Sequence, residues 1–205
     1  NGAAIADDAQ VTVGVGSGSP LTTLITTAAG SITAGGNTTV TVQVRDAANN
    51  NVTVGGATVA LNASSGSVGT VTDNNDGTYT ATFSSTLAAT ATITGTLNSV
   101  SITDNAVVTV NPAAVSAATS TVAAGTASIA ASNGTPSSTI TVTARDQFSN
   151  LVPSAAVTLA STGSTNTFTP SSGSTNASGV FTTEFSSTLA EAKTIAATAG
   201  GVGIT

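Results

Sequence analysis

The chain repeats itself after about one hundred residues, and this repeat constrains the fold more than any other feature. TVTVQVRDAANNNV (39–52) matches TITVTARDQFSNLV (139–152) at an offset of 100 residues. GATVALNASSG (56–66) matches SAAVTLASTGS (154–164) at an offset of 98, and TATFSSTLA (80–88) matches TTEFSSTLA (182–190) at 102. Offsets that drift by a residue or two place small insertions in loops between matched segments. Whatever forms here therefore forms twice, each time within a little over ninety residues.

Each matched block alternates. Val40, Val42 and Val44 correspond to Ile140, Val142 and Ala144; Val59 and Leu61 correspond to Val157 and Leu159. Tyr79, Ala81 and Phe83 correspond to Phe181, Thr183 and Phe185, and Ile93 to Ile195. A period of two means strands with one buried face and one wet face. Thr and Ser make up 68 of 205 residues and charged residues only 6%, a composition that favours strands over helices and a folded chain over a disordered one. Short strands with turn signals every eight to twelve residues predict an all-β chain of two tandem immunoglobulin-like β-sandwich domains.

The domain boundaries follow from the phase of the repeat. AIADDAQVTVG, near the start, matches SITDNAVVTVN (101–111), the closing phrase of the first repeat, and GGVGIT (200–205) begins the same phrase. Residues 1–19 therefore read as the last strand of a preceding repeat, a stray N-terminal strand, plus a Gly/Ser linker. Residues 20–111 form domain 1, and residues 112–205 form domain 2 without most of its last strand. Asn111-Pro112 predicts a stiff joint and GVGSGSP (14–20) a looser one. Asp76-Gly77 predicts a tight hairpin turn, and Asn98-Ser99, Gly200-Gly201 and Asn1-Gly2 a turn before each last strand.

In order and repeated, these segments carry a family resemblance. TITVTARDQFSNLVPSAAVTLAS followed by NASGVFTTEFSSTLAEAKTIAATAGG resembles the bacterial Ig-like group 1 repeats of invasin- and intimin-type surface adhesins, and the resemblance covers nearly the whole chain twice. It implies a stalk module of a long surface protein and implies no catalytic residues.

Composition removes several function classes. The chain has no Cys or His, which excludes thiol chemistry, imidazole general-base catalysis and zinc or haem ligation by those residues. Its three cations, Arg45, Arg145 and Lys193, against nine acids give a net charge of −6. No basic face for nucleic acid can be built, and no apolar run is long enough to insert into a membrane. The low-charge Thr/Ser/Asn/Gly composition predicts an extracellular, bacterial cell-surface protein.

The nine acids are Asp7, Asp8, Asp46, Asp73, Asp76, Asp104, Asp146, Glu184 and Glu191. Asp73 and Asp76 read as turn formers, since DNNDG lacks the spacing of a calcium loop. Arg45-Asp46 and Arg145-Asp146 recur; Arg falls on the polar face, and Asp ends its strand by accepting N–H groups of the following turn. The five N-x-Ser/Thr sequons, at Asn37, Asn51, Asn62, Asn133 and Asn176, are what this composition yields by chance. Outward Thr in TATITGT (90–96) reads as an ordinary solvated strand face.

One local anomaly stands out. Strict alternation from Ile102 puts Asp104 on the face of Ala106, Val108 and Val110, as it puts Asp7 on that of Ile5, Ala9, Val11 and Val13. Either a bulge interrupts the strand, the Asp lies at the sandwich rim, or calcium sits at a domain junction. No catalytic, cofactor-binding or metal residue is assigned. The expected function is a non-catalytic spacer or stalk whose partners are neighbouring Ig-like repeats, with any host or cell-surface ligand unknown. The second expected organisation is a surface fibre or sheath subunit assembled by strand complementation between molecules.

Overall fold

In a computed structural model, residues 9–204 are described. They form eighteen strands in four sheets, with no helix among the described residues. The first repeat supplies two sheets. One runs β1 (Leu24–Thr27), β3 (Asn37–Gln43), β7 (Thr78–Ser84), β5 (Ser67–Val68), with β6 (Thr72–Asp73) also on β7. The other runs β2 (Ser31–Thr33), β10 (Ala106–Asn111), β8 (Thr90–Leu97), β4 (Val59–Ala63), with β9 (Val100–Ser101) also on β8.

The second repeat builds a similar pair of sheets, without counterparts of β2 and β10 among the described residues. One sheet runs β11 (Thr121–Ala124), β12 (Ser138–Thr143), β16 (Val180–Ser187), β14 (Asn166–Thr169). The other runs β15 (Ser172–Ser174), β13 (Ala156–Ser161), β17 (Ile195–Ala199), β18 (Val202–Ile204). These are immunoglobulin-like sandwiches, as the alternation predicts. The described chain divides into two compact units that do not follow the repeat. Segments Ser31–Asn37 and Ser84–Thr90 of the first repeat belong with Thr109–Thr205 in the second unit.

The inward positions are those read from the sequence. Val40, Val42, Tyr79, Phe83, Ile93 and Val108 are buried in the first repeat, and Ile140, Val142, Phe181 and Phe185 in the second. β12 and β16 pair with Val142 opposite Phe181 and Ile140 opposite Thr183. Their burial alternates because β-branched and aromatic side chains fill one face of the pleat while Thr covers the other.

Residues 4–8 of the opening phrase lie outside the described residues. Residues 9–17 form no strand, and Val11 and Val13 are almost fully exposed. The stray strand is thus unpaired where it is described, for it meets no sheet edge of this chain to supply a ladder. The Gly/Ser linker that follows is pinned at its far end. Gly18 bridges to Asp46, and the Ser19 N–H donates to the Arg45 carbonyl. Val115 and Ser116 make the same contacts with Asp146 and Arg145. Both linkers are therefore docked alike on their downstream side.

The two copies exchange volume at this point. A Cβ at Gly18 would lie 2.5 Å from Val44 Cγ1 and 3.3 Å from Leu97 Cδ2. In the second repeat the equivalent trio is Val115, Ala144 and Ala199, all members of one buried cluster. The apolar volume sits on the strands in one copy and on the linker in the other. Gly18→Val should destabilise the first repeat by about 1–3 kcal/mol through overpacking. The double variant G18V/V44A should be more stable than G18V alone, and chemical denaturation of the four proteins of the cycle checks this coupling.

Candidate functional site

The feature that both repeats build identically is a five-residue turn at the end of β3 or β12, closed over a buried carboxylate. Asp146 Oδ1 accepts the N–H groups of Phe148 and Asn150, both at 2.9 Å. Its Oδ2 accepts the Asn150 side-chain amide at 2.8 Å and the Ala113 N–H, from the incoming linker, at 2.8 Å. An ionised carboxylate offers about four acceptor positions, and all four are used. No Lys or Arg side chain donates to it among the described residues, although the side chain is fully buried.

Asp46 repeats the arrangement. Oδ1 accepts from Ala48 and Asn50 backbone N–H at 3.0 and 2.9 Å, and Oδ2 accepts the linker Gly16 N–H at 2.9 Å. The Asn50 amide lies between both oxygens, at 3.2 and 3.1 Å. The turn needs a left-handed residue before the asparagine, taken by Asn49 (φ 71°) and Ser149 (φ 68°). Thr22 and Thr119 finish the clasp by donating to the carbonyls of Asp46 and Asp146, at 2.8 and 2.7 Å.

The hydrogen bonds set the electrostatics. Side-chain donation from Asn50, then backbone donation from Gly16 and Asn50, holds the Asp46 carboxyl below its ordinary range. For Asp146 burial pushes upward, and donation from Asn150, Ala113 and Phe148 together outweighs it, leaving the pKa lowered.

The remaining acids have separate local duties. Asp73 accepts the N–H groups of Asn75 and Gly56, and Asp76 those of Thr78, which makes both turn formers. Gly77, at φ 82°, closes that hairpin with no room for a side chain, since a Cβ would strike the Val52 carbonyl. Glu184 accepts the hydroxyls of Ser137 and Thr139 at 2.7 Å, and Glu191 pairs with Lys193. Asp104 resolves the anomaly of alternation. The ladder stops between β9 and β10, and the Asp104 carboxylate accepts the Ile25 N–H on edge strand β1 at 2.8 Å. Asp7 and Asp8 lie outside the described residues. Among the described residues no group of three or more acidic side chains could hold a metal ion. Arg45 and Arg145 point into their own turns, donating to Asn49 Oδ1 and the Ser149 carbonyl. All five sequon asparagines are exposed.

Sequence reasoning found Asp46 and Asp146 and their backbone partners. It missed Asn50 and Asn150, and it missed the linker donors Gly16 and Ala113. The shared D-x-x-x-N spacing was the available signal.

The sandwich fold and its repetition define a class of tandem Ig-like modules. Residues 19–113 match the family described as Invasin, domain 3, and residues 119–205 match the bacterial Ig-like domain (group 1). Each repeat is thus matched by its own bacterial Ig-like model, the first by the one described for invasin. No curated protein sequence matches it. Among solved structures, InvD of Yersinia pseudotuberculosis is 25% identical over 90% of this chain and 54% of its own, with a TM-score of 0.66. The structure of invasin, a bacterial integrin-binding protein, is 22% identical over 92% of this chain and 39% of its own, TM-score 0.69. FdeC, an Escherichia coli adhesin, is 22% identical over 92% and 64%, TM-score 0.60. The chain thus spans less than two thirds of each of these relatives.

Asp146→Asn turns one acceptor oxygen into a donor group and should cost the second unit about 1.5–3 kcal/mol. The sign with pH follows from the lowered carboxyls. Their contribution is complete above the unfolded Asp value of about 3.9 and is lost as pH falls through the folded value. Stability measured by denaturant titration should fall on acidification below about pH 4, and D146N should flatten that fall.

Proposed function

We propose that the chain is a non-catalytic spacer, part of the stalk of an extracellular bacterial surface adhesin, whose partners are neighbouring Ig-like repeats. The observation that carries the reading is the clasp: each repeat ties its incoming linker to its own body through a saturated buried carboxylate. Such a tie passes a pull on the linker to the body of the module through several hydrogen bonds at once. The family matches support the adhesin setting, and the net charge of −6 suits a soluble surface segment.

Pulling on the chain by its termini tests the reading. Two separate unfolding events are expected, each releasing roughly 30 nm, the extended length of about ninety residues. D146N should lower the force of one event only. A chain that lengthens in one smooth ramp is not a load-bearing stalk.

The same reading holds that the modules stand without a metal. Melting temperatures in excess calcium and in chelator should coincide; a rise with calcium would return the domain-junction cation to consideration.

A further inference from the structure

Asn150 uses its whole side chain. Its Nδ2 donates to Asp146 Oδ2 and to the Thr86 carbonyl, each at 2.8 Å, and its Oδ1 accepts the Ala88 N–H at 2.9 Å. Thr86 and Ala88 belong to segment Ser84–Thr90, which lies in the same compact unit as Asn150. The loop that meets the asparagine is held in shape by Ser85, whose Oγ accepts the Leu87 N–H and donates to the Leu87 carbonyl, both at 3.1 Å.

Both halves of this contact occur a second time. The loop sequence FSSTLA returns at 185–190, and Ser187 bonds Leu189 N–H and carbonyl at 3.3 and 3.4 Å, as Ser85 bonds Leu87. The Thr188 carbonyl and the Ala190 N–H, the counterparts of Thr86 and Ala88, make no hydrogen bond among the described residues. Asn50 repeats Asn150, is exposed, and leaves its Oδ1 without a hydrogen bond among the described residues. Its second amide N–H rests on Asp46 Oδ1 at 3.2 Å, the longest bond of the clasp.

We infer that the Asp46–Asn50 turn is a docking socket for the Ser-Ser-Thr-Leu-Ala loop of another copy of this module. In docking, Asn50 Nδ2 turns its second N–H from Asp46 to the Thr188 carbonyl of that copy, and Oδ1 accepts the Ala190 N–H. The occupant is named by the loop this chain itself carries, FSSTLA at 185–190, braced by Ser187 as Ser85 braces the loop on Asn150. The inference rests on the stalk reading and deepens it by naming the atoms of the joint. Contact between separate copies is weak because Asn51 stands where Leu151 lines a cleft with Leu87.

Paramagnetic relaxation between copies tests this. The chain contains no cysteine, so an A47C chain carries one nitroxide label, beside the socket. Mixed at millimolar concentration with 15N-labelled wild-type chain, it should bring selective loss of the amide signals of residues 187–190. Asn50→Ala in the labelled-spin chain should restore those signals, as should Ala190→Pro in the 15N chain, which removes the N–H without touching the turn. Asn51→Leu in the spin-labelled chain should deepen the loss. Uniform or absent broadening, or broadening indifferent to both N50A and A190P, overturns the docking proposal. The stalk reading would survive that result, because the pulling experiment reads the linker clasp inside one chain.

Discussion

A carboxylate withdrawn from water must find its hydrogen bonds in the protein, and Asp146 finds four of them in neutral donors. With three cations in 205 residues, ion pairing was hardly open to this chain. Turn N–H groups and an asparagine amide do the work instead. Because one of the four donors is the Ala113 N–H, the carboxylate cannot be satisfied until the linker is in place. The turn, the strand end that carries it and the linker therefore order together. The same dependence holds at Asp46 with Gly16.

Around this fixed point the two copies fill the same positions with different residues. Gly18 beside Val44 and Leu97 becomes Val115 in a cluster with Ala144 and Ala199. The Ala57 N–H donates to the Tyr79 hydroxyl at 2.9 Å; the equivalent Ala155 N–H donates to Thr175 Oγ1 at 2.9 Å, and the aromatic there is Phe181. In both cases the constraint is local: filled volume in one, a satisfied buried donor in the other. Neither constraint fixes which residue meets it, which explains how repeats can diverge while their ladders stay in register.

The strands were legible because alternation is a local property. Val40, Val42 and Val44 announce a buried face without reference to anything distant. The sheet they enter, and Asp104 reaching across to the Ile25 N–H, depend on contacts 79 residues apart and leave no local trace. GVGSGSP has the composition of a hinge, and composition does not tell that Gly18 also lies where Val44 leaves no room for a side chain. Asn50 and Asn150 were overlooked because an asparagine in a turn explains itself locally. Only the near-verbatim return of FSSTLA hinted that a loop surface, rather than a strand, was being preserved.

The topology also bears on tension. β10 pairs with β2 in parallel, Thr109 to Asn111 against Ser31 to Thr33. β2 follows β1, which follows the clasped linker, so a pull on the N-terminal side reaches β2 while a pull on the C-terminal side reaches β10. Two parallel neighbours drawn in opposite directions along their length are sheared, and their slanted hydrogen bonds must yield together rather than one after another. Beyond β10 the chain meets Pro112 and then the Ala113 N–H on Asp146, so only one residue separates the ladder from the next clasp. Resistance to such a shear would come from backbone bonds loaded in parallel rather than from the bulk of what is buried.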